Sequence, residues 1–136
     1  IPVAAPKAIV AARSGPDPRL SAVVADRLRE AGWSGGTPVV LAAAGSRDER
    51  AVNDVHRAAA QLAELIDVEV TAGFAGAGEP ALAALRPAAV ATYLLAPGHF
   101  ADLIAACGAP VISPQIGPDP RIADIVMGRY DDAVAW

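Results

Sequence analysis

Aromatic side chains make up only 4% of the 136 residues, against 54% hydrophobic residues overall, so the core has to be assembled from closely packed Ala, Val, Leu and Ile. Such a composition suits helices laid on a parallel sheet whose strands are covered on both faces. The single cysteine, Cys107, excludes an intramolecular disulfide. With only His56 and His99 beside it, the chain has too few ligands for a Cys/His structural zinc cluster. Charge of one sign is nowhere concentrated: 11 Lys and Arg are scattered among 15 Asp and Glu, a formal net charge of −4, which argues against a nucleic-acid or anionic-membrane surface. No apolar stretch approaches the roughly 18 residues of a membrane span. Residues 1–10 show no basic leader followed by an apolar segment, and the expected location is the cytoplasm. The chain starts at Ile1 instead of Met, which points to a longer precursor.

The length fits one compact domain, but the sequence repeats itself. Gly15-Pro16-Asp17-Pro18-Arg19-Leu20 recurs as Gly117-Pro118-Asp119-Pro120-Arg121-Ile122, 102 positions on. The same offset pairs Val24 with Val126, Arg27 with Arg129 and Ala31 with Ala133. Each copy reads as a helix start: Asp at the N-cap accepts a backbone N–H, and Pro at the first helical position has no donor to lose. Apolar residues then follow at helical spacing, Leu20, Val23, Val24 and Leu28 in one copy and Ile122, Ile125, Val126 and Tyr130 in the other. A short apolar strand precedes each, over 8–12 and 110–113. Residues 1–35 accordingly read as the strand and helix that end a preceding repeat plus a linker beginning at Trp33, and residues 36–136 as a complete second repeat.

Within that second repeat, strands and helices alternate, the mark of a parallel sheet covered on both faces. Strands are expected over 39–43, 68–72, 88–95 and 110–113, and helices over 48–65, 80–85, 100–107 and 120–133. The long helix carries Val52, Val55, Ala59, Leu62 and Ile66 at intervals of three or four, and either Ser46 or Asp48 suits its cap. Ligands of such sheets bind at the carboxyl ends of the strands, where the loops 43–48, 72–78 and 97–100 would converge.

Gly45-Ser46-Arg47 lies between a strand and a helix, so its backbone N–H groups and the Arg47 guanidinium suit an anion. The chain has no G-x-G-x-x-G, no Walker A lysine and no G-x-S-x-G elbow. His56 falls within the long helix among Asp54, Arg57 and Gln61 and is given no role. Cys107 reads as a small buried hydrophobe.

Val39-Val40-Leu41-Ala42-Ala43-Ala44-Gly45-Ser46-Arg47-Asp48 resembles the first strand and loop of the sirohydrochlorin chelatases, whose motif is His-Gly-Ser-Arg-Asp. Tyr93-Leu94-Leu95-Ala96-Pro97-Gly98-His99-Phe100 is similar to that family's third-strand motif, which ends in Gly-x-His. The resemblance spans residues 36–136. It implies a chelatase-like, flavodoxin-like three-layer α/β sandwich with a four-stranded parallel sheet, preceded here by an extra strand and helix. It further implies a role in inserting Fe2+ or Co2+ into sirohydrochlorin for siroheme or cobalamin, the metal being a substrate and no cofactor being tightly held.

Two departures stand out. Ala44 occupies the place of the family's first histidine and Phe100 that of the second, with His99 displaced by one residue. Fused two-copy members carry the ligating histidines in their N-terminal copy, so this chain resembles the non-catalytic half. The resemblance leaves no catalytic residue here. It assigns Gly45, Ser46, Arg47, Gly98 and His99 to the substrate, a carboxylated tetrapyrrole, and leaves His99 as the one imidazole placed to touch a metal. Arginine suits the macrocycle's carboxylates. The implied macromolecular partner is the N-terminal repeat or a second copy of the chain, and the competing reading is an anion-binding or dimerisation module of the same fold.

Overall fold

The computed structural model describes residues 16–94, 97–117 and 119–124. The elements follow as α1 (Pro18–Glu30), β1 (Val39–Ala43), α2 (Glu49–Ile66), β2 (Val70–Phe74), a single 3₁₀ turn (Leu82–Ala84), β3 (Ala89–Thr92), α3 (His99–Ala105) and β4 (Val111–Ile112). The strand expected over 8–12 lies outside the described residues, and of the helix expected over 120–133 only residues 120–124 are described, as helix.

All four strands are parallel, in the order β2-β1-β3-β4. The α/β class and the four-stranded parallel sheet are therefore as expected. β1 lies at the centre, pairing Val39 with Val70 on one side and Val40 with Val90 on the other. All five of its residues are buried, and they alternate between two apolar layers. Val39, Leu41 and Ala43 join α1 and α2 on one face, while Val40 and Ala42 join Leu82, Val90 and Ile104 on the other. An unbroken apolar strand is what a parallel sheet sandwiched between helices requires.

α1 forms because its sequence specifies both ends. Asp17 Oδ1 accepts the Arg19 amide at 2.8 Å, Pro18 takes the first turn, and the chain leaves at Gly32, whose φ of +108° closes the helix. Trp33 N donates to Leu28 O and Gly32 N to Arg29 O, the paired bonds of a Schellman ending. Trp33 is then buried against the core and donates from Nε1 to Thr37. Leu20, Val23 and Leu28 are wholly buried, so α1 is an integral layer on this sheet.

β3 spans only Ala89–Thr92 where 88–95 was expected, α2, α3 and β4 shift by one or two residues at their ends, and two further differences have a visible cause. α2 runs to Ile66 and ends at Asp67 in the left-handed region, φ 57°, which delays β2 to Val70; the strand thus begins and ends two residues later than hydrophobicity alone indicated. The segment 80–85 makes only one 3₁₀ turn, because Phe74 N bonds Pro80 O and holds this stretch beside the end of β2.

The second Gly-Pro-Asp-Pro-Arg copy caps its helix as the first does: Asp119 Oδ1 accepts the Arg121 amide at 2.9 Å. The two copies meet. Arg27 pairs with Asp119 at 3.0 Å and donates to Ile116 O, and Arg121 pairs with Asp26 at 2.8 Å. Hydrogen bonds from Arg121, joined by one from Arg27, hold the Asp119 carboxyl well below the usual carboxylate range. A carboxylate depressed on folding contributes stability that is present above its unfolded value, near 3.8, and is lost progressively as pH falls below it. Thermal melts of Asp119→Asn should show a lower Tm than the parent at pH 7 and a smaller loss between pH 4 and pH 2; parallel profiles would remove this carboxylate from the acid transition.

Candidate functional site

The carboxyl ends of β1, β2 and β3 deliver three loops to one edge of the sheet. From β1 the chain continues through Ala44, Gly45, Ser46 and Arg47 to α2. From β2 it continues through 75–79, and that loop is stitched to the first by successive backbone bonds: Ala75 N to Ala43 O (2.9 Å), Gly76 N to Ala44 O (2.7 Å) and Ser46 N to Ala77 O (2.8 Å). Gly45 has φ +103°, and a Cβ there would overlap the carbonyl oxygen of Ala77. Glycine is therefore required twice over, by backbone conformation and by the neighbouring loop.

The third element is the start of α3. Gly98 precedes it, and His99 and Phe100 form its first turn. A Cβ on Gly76 would lie 2.7 Å from Ala44 O and 3.1 Å from Phe100 Cε1. Ala44 and Phe100, which the sequence resemblance matches to histidines, thus both lie against Gly76, Ala44 through its carbonyl oxygen and Phe100 through its ring. Ala44 and Phe100 are 56 positions apart in the sequence, and only the parallel crossovers bring them together.

Arg47 is exposed and makes no ion pair among the described residues. His99 is also exposed; its ring lies 5.4 Å from that of Phe100, tilted by 57°. The cap of α2 is Asp48, which accepts the Arg50 amide at 3.0 Å, while Ser46 Oγ accepts the Asp48 amide at 3.0 Å. The amides of Ser46, Asp48 and Arg50 are thus engaged within the protein, and Arg47 carries an exposed guanidinium in the same loop. No group of three or more His, Cys, Asp or Glu side chains among the described residues is arranged to hold a metal ion.

One residue the sequence reading set aside takes part in shaping the site. His56, exposed on α2, contacts Glu79 O through Nε2 at 3.2 Å and places its ring edge-on to Phe74 at 5.7 Å, pinning the far side of the 75–79 loop. Helical spacing placed it correctly on the outer face but carried no signal for a loop arriving from β2. Cys107 is half-buried and packs with the second apolar layer.

Neither a protein-family model nor a curated protein sequence matches the chain. A solved structure does. The chain is similar to SirB from Bacillus subtilis, solved with Fe3+, at a TM-score of 0.75 and 25% sequence identity. The likeness covers 89% of this chain and 56% of SirB, so the chain spans little more than half of that protein's length. The four-stranded parallel sheet with its helical layers is thus the arrangement found in SirB.

The interlocked loops predict a specific sensitivity. Gly45→Ala should cost about 1–3 kcal/mol from left-handed strain, with a further loss from the contact with Ala77, read as a lower urea midpoint. An unchanged midpoint would mean that the two loops are not held together as described.

Proposed function

We propose that this chain is one chelatase-fold unit of a protein that inserts Fe2+ or Co2+ into sirohydrochlorin, and that this unit supplies a wall of the tetrapyrrole cleft without performing the metal transfer. The observation that carries this reading is the meeting of Ala44 and Phe100 at Gly76. A methyl group and a phenyl ring stand at the two positions that the resemblance matches to imidazoles. The structural similarity to SirB with Fe3+ supports the same assignment.

Metal insertion needs a base to accept two pyrrole protons, a weak ligand that can release its ion, and cations that hold the peripheral carboxylates. Neutral imidazole suits the first two tasks and arginine the third. In this unit Arg47 supplies the cation, Gly45 and Ser46 set the loop that carries it, and Gly98 and His99 border the opposite side. His99 is a lone imidazole, and one nitrogen ligand without supporting partners binds a divalent ion poorly. The two histidines and the insertion chemistry then belong to a preceding repeat.

Titrating the full chain with sirohydrochlorin, followed by absorbance with and without Fe2+ or Co2+, should give saturable binding and no insertion. Arg47→Ala should weaken that binding roughly tenfold, the scale of one lost charge-assisted hydrogen bond. Rapid insertion would overturn the non-catalytic assignment; absence of binding would overturn the substrate assignment.

A gain-of-function variant tests the geometry separately. Ala44→His together with Phe100→His should acquire Co2+ binding, seen as a new visible absorption band that neither single variant shows. If the double variant stays silent, the two positions do not face one ligand.

A further inference from the structure

Three large hydrophobic side chains are exposed among the described residues: Leu65, Phe100 and Leu103. Two of them, Phe100 (39% exposed) and Leu103 (42%), stand three residues apart on α3 and therefore on neighbouring turns of one face. Neither anchors the helix, because Ile104 does so, at 0% exposure in the layer beneath the sheet. The Phe100 ring edge rests on Gly76, where any side chain would have to displace it. Gly76 N bonds Ala44 O, so ring, glycine backbone and the Ala44 segment form one continuous floor. The His99 ring extends it at a tilt. Along the neighbouring edge, Ser46 is bonded to Ala77, which places the exposed Arg47 one residue from the loop that seats Phe100.

A partly exposed aromatic ring and an exposed guanidinium on the loop bonded to its seat together suit one chemical class: a flat, conjugated ring system with carboxylates on its rim. The face of such a ligand stacks on an aromatic side chain, and its rim meets a planar cation. A small carboxylate or phosphate would use the cation alone and leave the apolar floor wet. We infer that Phe100 is a specificity-determining residue of this cleft, stacking against the face of a polycarboxylated macrocycle while Arg47 takes a rim carboxylate. The inference rests on the tetrapyrrole reading given above and adds to it. Replacing a ligand by phenylalanine removes metal coordination and installs a binding surface for the ring itself.

The test uses the full chain and an octacarboxylate porphyrin as probe, with citrate as the non-aromatic competitor, for the parent, Phe100→Ala, Phe100→Trp and Arg47→Ala. Phe100→Ala should bind the porphyrin about tenfold more weakly and lose the red shift and hypochromicity of its main absorption band. Phe100→Trp should keep both, and the effect of citrate should depend on Arg47 alone. Circular dichroism confirms that each variant folds, as expected for an exposed side chain. If the parent binds in an Arg47-dependent way and Phe100→Ala binds as tightly with the same spectral change, the inference fails while the tetrapyrrole reading stands. If the parent does not bind the porphyrin, both fail.

Discussion

The central strand is the constraint from which the rest of the architecture follows. β1 is five apolar residues hydrogen-bonded to a neighbour on each side and buried on both faces. Such a strand is stable only between two helical layers, since either open face would leave apolar surface in water. α1 and α2 close one side, and the 3₁₀ turn with α3 closes the other. The small residues of the strands, Ala42, Ala43, Ala89 and Ala91, let these layers approach closely, which is how a core with few aromatic rings is filled.

The same strand sets the functional edge. Ala43 O and Ala44 O, the last carbonyls delivered by β1, receive the amides of Ala75 and Gly76, so the second loop inherits its position from the first. The start of α3 then leans on Gly76. The cleft is built almost entirely from backbone bonds and glycine contacts, and such a frame tolerates changes in the side chains that project from it.

A second set of interactions ties distant parts of the chain together. Arg27 reaches Asp119 and Ile116 O, and Arg121 reaches Asp26, joining residues separated by about 90 positions. Arg27 and Asp119 are largely shielded from water, with side chains 16% and 9% exposed, whereas the Arg121–Asp26 pair is open to solvent and correspondingly weaker. Both Gly-Pro-Asp-Pro-Arg segments thus act as helix starts, and the second, through Asp119 and Arg121, also makes the contact with Arg27 and Asp26 of α1. The wholly buried Ile116 fills the space between them.

Much of this was legible in the residues. Asp-Pro at a helix start, apolar residues every three or four positions, and an uninterrupted Val-Val-Leu-Ala-Ala run are local statements, and local preferences decide α1, α2 and β1. The positions of Gly45, Ser46 and Arg47 after β1, and of Phe100 at the start of a helix, followed from the same pattern. Boundaries set by partners were not legible: β2 begins at Val70 because it must pair with Val39, a register that hydrophobicity does not encode. The role of His56 was invisible for a similar reason, since its partner Glu79 arrives from another strand. The sequence by itself determined the elements, their order and the chemistry available at each strand end, because these depend on neighbours within a few residues. Only the tertiary structure decided that Ala44 and Phe100 meet at Gly76, that the loop after β1 is bonded to the loop after β2, and that α1 packs on this sheet, because each depends on contacts between segments far apart in the chain.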